Sequence, residues 1–459
     1  MTHPARFLAA LMATGILAGI AGAFCTALLH LVQHLAFAYE SGSLLDGVAH
    51  TRAARRVLAP TIGGLLAGLG WRLLRARHGD RDAAMPRLRD AIDRPRPFPS
   101  FALLSDAACQ VLVVGSGGSI GREAAPRQLA AILGNAATAG WGLSDRERRL
   151  LLASAAGAGL AAVYDVPAAG AVYAVCVLLS EWSPWAVTAA TVTSLCAVRT
   201  ATALSSGESA SGISIPATAT IVGTDWRSWP VLAVSVVAAV MAGTAFSAVM
   251  ARAAHPRATS ALAIAAAGLT VGTLSMWQPA LAGNGKSIAV SALTTTTPVE
   301  TLVVLVLLKP IVTAVFVRAG ATAGLLTPSF ATGAAAGAVV GLTAEHSFPG
   351  IQNAVPLCIL AAAAATVSIT EGAPLFAAVF TCELVHGGAS TLALLSAVSF
   401  AAHRVPVLST RLHHVTTHVI ARAAAAQTVR IGRARHCPRR PTRPTVSLGP
   451  DAAPWREAE

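Results

Sequence analysis

Apolar positions in this chain come in long blocks separated by short charged or Gly/Pro-rich gaps. Blocks of this kind predict membrane-spanning helices, which need about 20 apolar residues each. Phe7–Tyr39 is longer than that and too long for a secretory leader's core, so it predicts a tilted first helix. Val57–Leu74 follows, interrupted by Gly63, Gly64, Gly68 and Gly70. Residues 75–99 are polar and leave room only for a short re-entrant element. Phe101–Val114, Ala125–Ala137, Leu150–Val163, Ala168–Leu179 and Pro184–Leu204 complete a first half. Residues 205–227, rich in Ser, Thr and Gly, predict an extended linker. The second half reads Trp229–Arg252, Ala261–Met276, Thr301–Val317, Leu325–Leu342, Val355–Ile369, Leu375–Val385, Thr391–Ala402 and Val405–Ala425. Many of these blocks are too short for a simple span and are cut by Gly or Pro, the pattern of broken helices around a transport site. The expected layout is a membrane domain over residues 1–425, with halves near 57–204 and 229–425, and a basic, disordered cytoplasmic tail over 426–459.

Composition agrees: 54% of the residues are hydrophobic and only 12% charged, against about 25% charged in soluble domains, which makes the chain an integral membrane protein built of helices. Abundant Ala and Gly predict close helix packing. The net charge of +13 gathers at Arg52–Arg56, Arg72–Arg77, Arg146–Arg149 and Arg430–Arg443, as loops and ends beside an anionic leaflet require. No aromatics interleave with these basic residues, which argues against nucleic acid. The seven cysteines are scattered singly, as small core residues and not ligands. No metal or cofactor is expected: His413, His414 and His418 lack a nearby acid or cysteine and fit an interfacial helix end. An enzyme is also disfavoured, because Asp106, Asp165 and Glu371 are isolated; Asp165 and Glu371 are expected to cap the helices that follow them.

The candidate chemistry lies in Gly115-Ser-Gly-Gly-Ser-Ile-Gly-Arg-Glu-Ala-Ala-Pro-Arg-Gln128. Glycines expose backbone amides here, and Gly121-Arg122-Glu123 opens a helix. A charged residue at the centre of a membrane helix costs roughly 2.5–3.5 kcal/mol on insertion scales. A helix N-terminus lowers that cost, and the same geometry holds a small anion. On the residues alone, Glu123 is either a cap in a buried loop or a gate competing with an anion for one electropositive site. Arg122 and Arg127 either add positive potential along the approach or snorkel to the interface.

The halves also resemble each other. Leu151–Pro167 matches Cys358–Pro374 in its small residues, turn and proline, and each segment continues to an acid, Glu181 or Glu383. Gly115–Pro126 has a counterpart in Gly320–Pro328. Two helix starts, at Gly121–Ala124 and at Leu325–Thr327, are therefore expected to converge, with a third supplied after Pro86. Amide clusters aimed at one point bind an anion weakly enough to release it.

These residues resemble the CLC family of chloride channels and proton/chloride antiporters, over roughly Phe7–Ala425. Gly121-Arg122-Glu123 with Gln128 is similar to the family's gating-glutamate motif, although Ala124-Ala125 replaces its Gly-Pro. Gly324-Leu325-Leu326-Thr327-Pro328 partly matches its Gly-x-Phe-x-Pro, with Leu326 in place of Phe, and Gly283–Ser287 and Ala373–Leu375 with Glu383 also fit. The resemblance implies an all-α membrane fold of two inverted-topology repeats with tilted, partly broken and re-entrant helices. It implies Glu123 as gate and an anion site at Gly121, Arg122, Ala124, Leu325, Leu326 and Thr327. It places Ala83 and Leu408 where the family has a serine and a tyrosine contacting the ion, and Val177 where its antiporters carry an internal glutamate. The implied protein is a homodimer in a bacterial plasma membrane with both termini cytoplasmic and no regulatory CBS domains. It moves chloride passively; a proton-coupled exchanger or a carrier of fluoride or nitrate is the alternative.

Overall fold

The computed structural model describes residues 3–77, 87–93, 97–205, 227–254, 260–294, 297–348, 350–351 and 354–405. Ala83, Leu408, residues 206–226 of the expected linker, and the tail lie outside that set. The described chain is helical, and its one β pairing is a bridge between Gly121 and Gly324. Before the linker come α1 (His3–Phe37), α2 (Leu44–His50), α3 (Ala53–Arg77), α4 (Leu88–Asp93), α5 (Ser100–Gly115), α6 (Ala124–Ala137), α7 (Asp145–Tyr164), α8 (Pro167–Tyr173) and α9 (Pro184–Leu204). Helix α8 runs on as a π-helical turn, Ala174–Leu179. After the linker come α10 (Ser228–Ala253), α11 (Ala261–Ser275), α12 (Lys286–Leu293), α13 (Val299–Arg318), α14 (Leu326–Ser347), α15 (Ala354–Glu371), α16 (Pro374–Leu384) and α17 (Ala389–Val405).

Among the described residues, seven helices are long and apolar enough to cross a membrane, so the protein is multi-pass. Others stop short: α6 has 14 residues, α16 has 11 and α8 has 7. Some of their ends, such as the start of α6 at Glu123 and the end of α16 at Leu384, are buried, where unpaired backbone groups need partners.

On α1, Leu8, Met12, Ile16, Ile20 and Phe24 are exposed at a spacing of four, one face of a helix, while Leu11, Ala18, Ala21 and Cys25 are buried. An apolar stripe left uncovered on a long helix is a lipid-facing surface. In contrast, 83% of the apolar window of α14 and 78% of that of α15 is buried, against 33% in α10, so α14 and α15 form the centre. They approach closely because Gly337 has no side chain: a Cβ there would lie 2.3 Å from the Cys358 carbonyl oxygen and 2.8 Å from Ile359 Cα.

The internal repeat is visible in backbone detail. Helices α7 and α15 both end in a left-handed residue, Asp165 (φ 59) and Gly372 (φ 65). The next residues match closely, Val166 at φ −131, ψ 72 and Ala373 at φ −133, ψ 79, and a proline then opens the short helix. The loops before α6 and α14 share a pattern as well. Gly118 N donates to Val113 O at 2.7 Å as Ala321 N does to Phe316 O at 3.1 Å, after Gly117 (φ 102) and Gly320 (φ 92). In that register Gly121 and Gly324 are counterparts, and they pair antiparallel with each other, so a local two-fold relation runs through their bridge.

One expectation is corrected. Asp165 does not cap the helix that follows it, because it is the left-handed C-cap of α7; the N-cap of α8 is Val166, without a side-chain cap bond. Glu371 likewise closes α15, and the N-cap of α16 is Ala373.

Gly337→Ala is expected to lower the apparent melting temperature of the detergent-purified protein, because its methyl forces α14 and α15 apart at a cost of about 1–3 kcal/mol. A fluorescence-detected thermal-stability assay reads this directly.

Candidate functional site

The loops ahead of α6 and α14 meet at the bridge, where Gly121 N donates to Gly324 O at 2.7 Å. Glu123 is the N-cap of α6 and fully buried, yet its carboxylate does not cap its own helix. It reaches across to α14, where Oε1 accepts from Thr327 N at 2.6 Å and from the Thr327 hydroxyl. Oε2 has no hydrogen-bond partner among the described residues and lies over the two bridging glycines. A Cβ on either Gly121 or Gly324 would fall 2.1 Å from it, so only glycine at both positions lets a carboxylate occupy this point.

Three features stabilise negative charge here. The first turn of α14 presents the Thr327 amide, which has no partner in its own helix, and its dipole's positive end. Arg127, on the same helix as Glu123, donates from Nε to the Glu123 carbonyl at 2.8 Å and from Nη1 to the Tyr173 hydroxyl, with its guanidinium 5.1 Å from the Tyr173 ring centre. Arg122 is buried and stacks on Tyr164 at 4.9 Å, with Nη2 3.5 Å from the Val163 carbonyl. Neither arginine snorkels: both are folded back beside Glu123, and cation–π contact offsets part of the burial cost of the charge.

Gly121, Arg122, Glu123, Ala124, Leu325, Leu326 and Thr327 are thus brought together at one junction. Ala83 and Leu408 lie outside the described residues. Val177 sits in the π-helical turn after α8, half-buried against the main core. Among the described residues, no group of three His, Cys, Asp or Glu side chains could hold a metal ion.

Several residues that shape the junction were not singled out from sequence. Tyr164 places its hydroxyl 2.8 Å from Thr327 Oγ1. Lys309, fully buried on α13, donates to Ser119 Oγ at 2.8 Å, Gly283 O at 2.6 Å and Leu281 O at 3.3 Å, tying the loop of Glu123 to the loop before α12. Asp106, counted above only as an isolated acid, accepts at 2.7 Å from each of Trp71 Nε1, Gln110 Nε2 and Gln128 Nε2, joining α3, α5 and α6. Signals existed: a lone lysine within the apolar run 301–317, and two of only three tyrosines flanking the first repeat's broken turn.

Glu383 completes a reciprocal arrangement. Its carboxylate, from α16, accepts from Ala168 N at 2.9 Å and Ala169 N at 2.6 Å, the start of α8. Each repeat therefore caps a helix start of the other. Its sequence counterpart Glu181 does not do this; it pairs at the surface with Arg146 at 3.0 Å and Arg149 at 3.5 Å, and these contacts hold its carboxyl below the usual range.

Glu383→Ala is expected to lower the apparent melting temperature by the equivalent of a lost cap, about 1 kcal/mol. Glu181→Ala, at an exposed pair, should leave it unchanged in the same thermal assay.

A profile described as voltage gated chloride channel matches residues 63–405 of the chain. A voltage-gated ClC-type chloride channel ClcB from Escherichia coli O17:K52:H18 (strain UMN026 / ExPEC) is 29% identical over 378 residues, covering 81% of this chain and 88% of the relative. The ClcB of Escherichia coli strain SMS-3-5 is 28% identical over 377 residues, with the same coverage. Among solved structures, a slow cyanobacterial Cl⁻/H⁺ antiporter superposes with a TM-score of 0.73 at 19% identity, covering 88% of this chain and 95% of that one. A CLC-type fluoride/proton antiporter superposes with a TM-score of 0.66 at 18% identity, covering 88% and 96%. These two structural likenesses bear on the fold, whereas the profile spans most of the chain. With the crossed, inverted repeats described above, it establishes that the chain belongs to the voltage gated chloride channel family, a family of anion channels and transporters and not of enzymes.

Proposed function

We propose that this protein conducts chloride or a closely related anion passively through one pathway per subunit, with Glu123 as its gate. The observation that carries this reading is the Glu123 carboxylate held against the first turn of α14, where Thr327 N and its hydroxyl donate to it. A group of donors that holds one negative oxygen inside the membrane can hold a mobile anion in its place. In the closed state the ionised side chain occupies the site. In the open state it is protonated or displaced, and the anion takes the amides of Ala124, Leu325, Leu326 and Thr327. Gly121 and Gly324 leave room for this exchange. Backbone dipoles and folded-back arginines, with no ammonium group in direct contact, favour binding weak enough for release. Ala83 and Leu408, which carry no hydroxyl, are proposed to line the pathway with few contacts and so to loosen selectivity for chloride.

Val177 supports passive movement, since an aliphatic side chain at that position offers no acid to accept a proton. The second reading, proton-coupled exchange, is favoured by solved structures like this fold, among them a Cl⁻/H⁺ antiporter and a fluoride/proton antiporter. It needs another acid to carry the proton. We place the protein in the plasma membrane as a homodimer with both termini cytoplasmic. An apolar recess of about 340 Å³ beside α8 and α9, lined in part by Trp182, Val187 and Leu195, suits a second copy.

In liposomes, Glu123→Ala and Glu123→Gln are expected to raise chloride flux and to remove most of its pH dependence. The sign follows from protonation: in the unaltered protein flux rises as pH falls, because the neutral side chain no longer competes with the anion. Unchanged flux in Glu123→Ala refutes the gate. Separately, a chloride gradient is expected to drive no uphill proton movement, measured with a pH electrode outside the liposomes; reproducible proton uptake supports the exchanger.

A further inference from the structure

The hydrogen bonds around Thr327 have a fixed direction, and that direction gives Tyr164 a function. Thr327 has a single hydroxyl hydrogen, and it is directed at Glu123 Oε1, an oxygen that only accepts when the carboxylate is ionised. Tyr164 Oη lies 2.8 Å from Thr327 Oγ1. Because the threonine hydrogen is already used, the phenol must be the donor in that pair. The order is Tyr164 O–H to Thr327 Oγ1, and Thr327 O–H to Glu123. Tyr164 is 3% exposed and Thr327 6%, so water does not compete for either hydroxyl.

The phenol is fixed on both sides. Arg122 lies over its face at 4.9 Å, and Phe380 meets its ring edge-on at 5.6 Å and 85°. A cation over the ring draws electron density from the phenol and makes its O–H a stronger donor, and chained hydrogen bonds strengthen one another.

We propose that Tyr164 is a positioning residue for the anion site: it holds the Thr327 hydroxyl hydrogen toward the shared point, so that Thr327 donates through both N–H and O–H to the gate carboxylate when closed and to the permeating anion when open. This rests on the reading of Glu123 as a gate. The other charged or titratable groups around Glu123 and Tyr164 are Arg122 just before α6, Arg127 on α6, Tyr173 on α8 and Glu371 at the end of α15; from α14, Thr327 and its amide face the carboxylate. Tyr164→Phe leaves all of these in place and removes one donor.

The test is chloride flux from liposomes containing the full chain, measured against pH and against chloride concentration. Without the tyrosine donor the ionised carboxylate is less well held, so the midpoint of the flux–pH curve should move to higher pH in Tyr164→Phe, by about half a unit to one unit if one hydrogen bond to a charged group is weakened. In a Glu123→Ala background, where the anion takes the carboxylate's place, Tyr164→Phe should raise the half-saturating chloride concentration about three- to tenfold. Thr327→Val should produce the same two changes. Adding Tyr164→Phe to Thr327→Val should then change nothing further, because the tyrosine acts through that hydroxyl. Thr327→Ser, which restores a hydroxyl, should bring the midpoint back from its Thr327→Val value. A merely structural tyrosine predicts instead that its effect adds undiminished to that of Thr327→Val, and this result overturns the proposal. An unshifted midpoint together with an unaltered half-saturation also overturns it. If Glu123→Ala itself leaves flux and its pH dependence unchanged, the gate reading fails and this inference with it. If Glu123→Ala opens the pathway while Tyr164→Phe is silent, only the inference fails.

Discussion

A helix that ends inside a membrane protein leaves amides with no water to satisfy them, and this structure answers that constraint by crossing its repeats. Glu123 from the first half takes the start of α14, and Glu383 from the second half takes the start of α8. Neither carboxylate serves its own helix. An unpaired carboxylate and an unpaired helix start each carry a penalty in an apolar medium, and here each relieves the other. The broken helices persist because the partner repeat supplies what water would supply elsewhere.

The same economy governs the other buried charges. Lys309 meets a hydroxyl and two carbonyls, and Asp106 meets an indole and two amides. Each charge is spread over neutral dipoles from different elements, which locks the helix ends in position. Lys309 fixes the loop that carries Glu123, and Asp106 fixes the helix that follows it. Among the described residues, Glu123 Oε2 is a carboxylate oxygen at the junction left without a hydrogen-bond partner, over two glycines. A rigid surround around a carboxylate held through one oxygen and free at the other is the physical form a gate requires, and the proposed function builds on that contrast. Tyr164 extends it, since a buried hydroxyl with its hydrogen already committed dictates how its neighbour must point.

Much was legible in the linear chain. Blocks of apolar residues marked the longer helices to within about five residues, and Pro184–Leu204 coincides with α9, whereas the short α2 and α12 fell between the blocks. The cut segments and their prolines announced broken helices, and the match of Leu151–Pro167 with Cys358–Pro374 announced the repeat, because turn residues such as Asp165 and Gly372 carry their backbone geometry locally. Glu123 stood out because a lone acid between apolar runs needs a reason to be there.

The sequence by itself determined the medium, the helices, the repeat and the conspicuous acid, since hydropathy and turn chemistry act over a few residues. Only the tertiary structure decided which helix start each acid serves. Asp165 and Glu371 were expected to cap the helices next to them, yet neither does, and the start of α8 is capped from more than 200 positions away by Glu383. It also decided that Arg122 and Arg127 fold inward, and that Tyr164, Lys309 and Asp106 belong to the junction. Those partners are separated by dozens to hundreds of residues, and in a medium without water a buried polar group pairs with whatever the packing brings within about 3 Å, which no local pattern records.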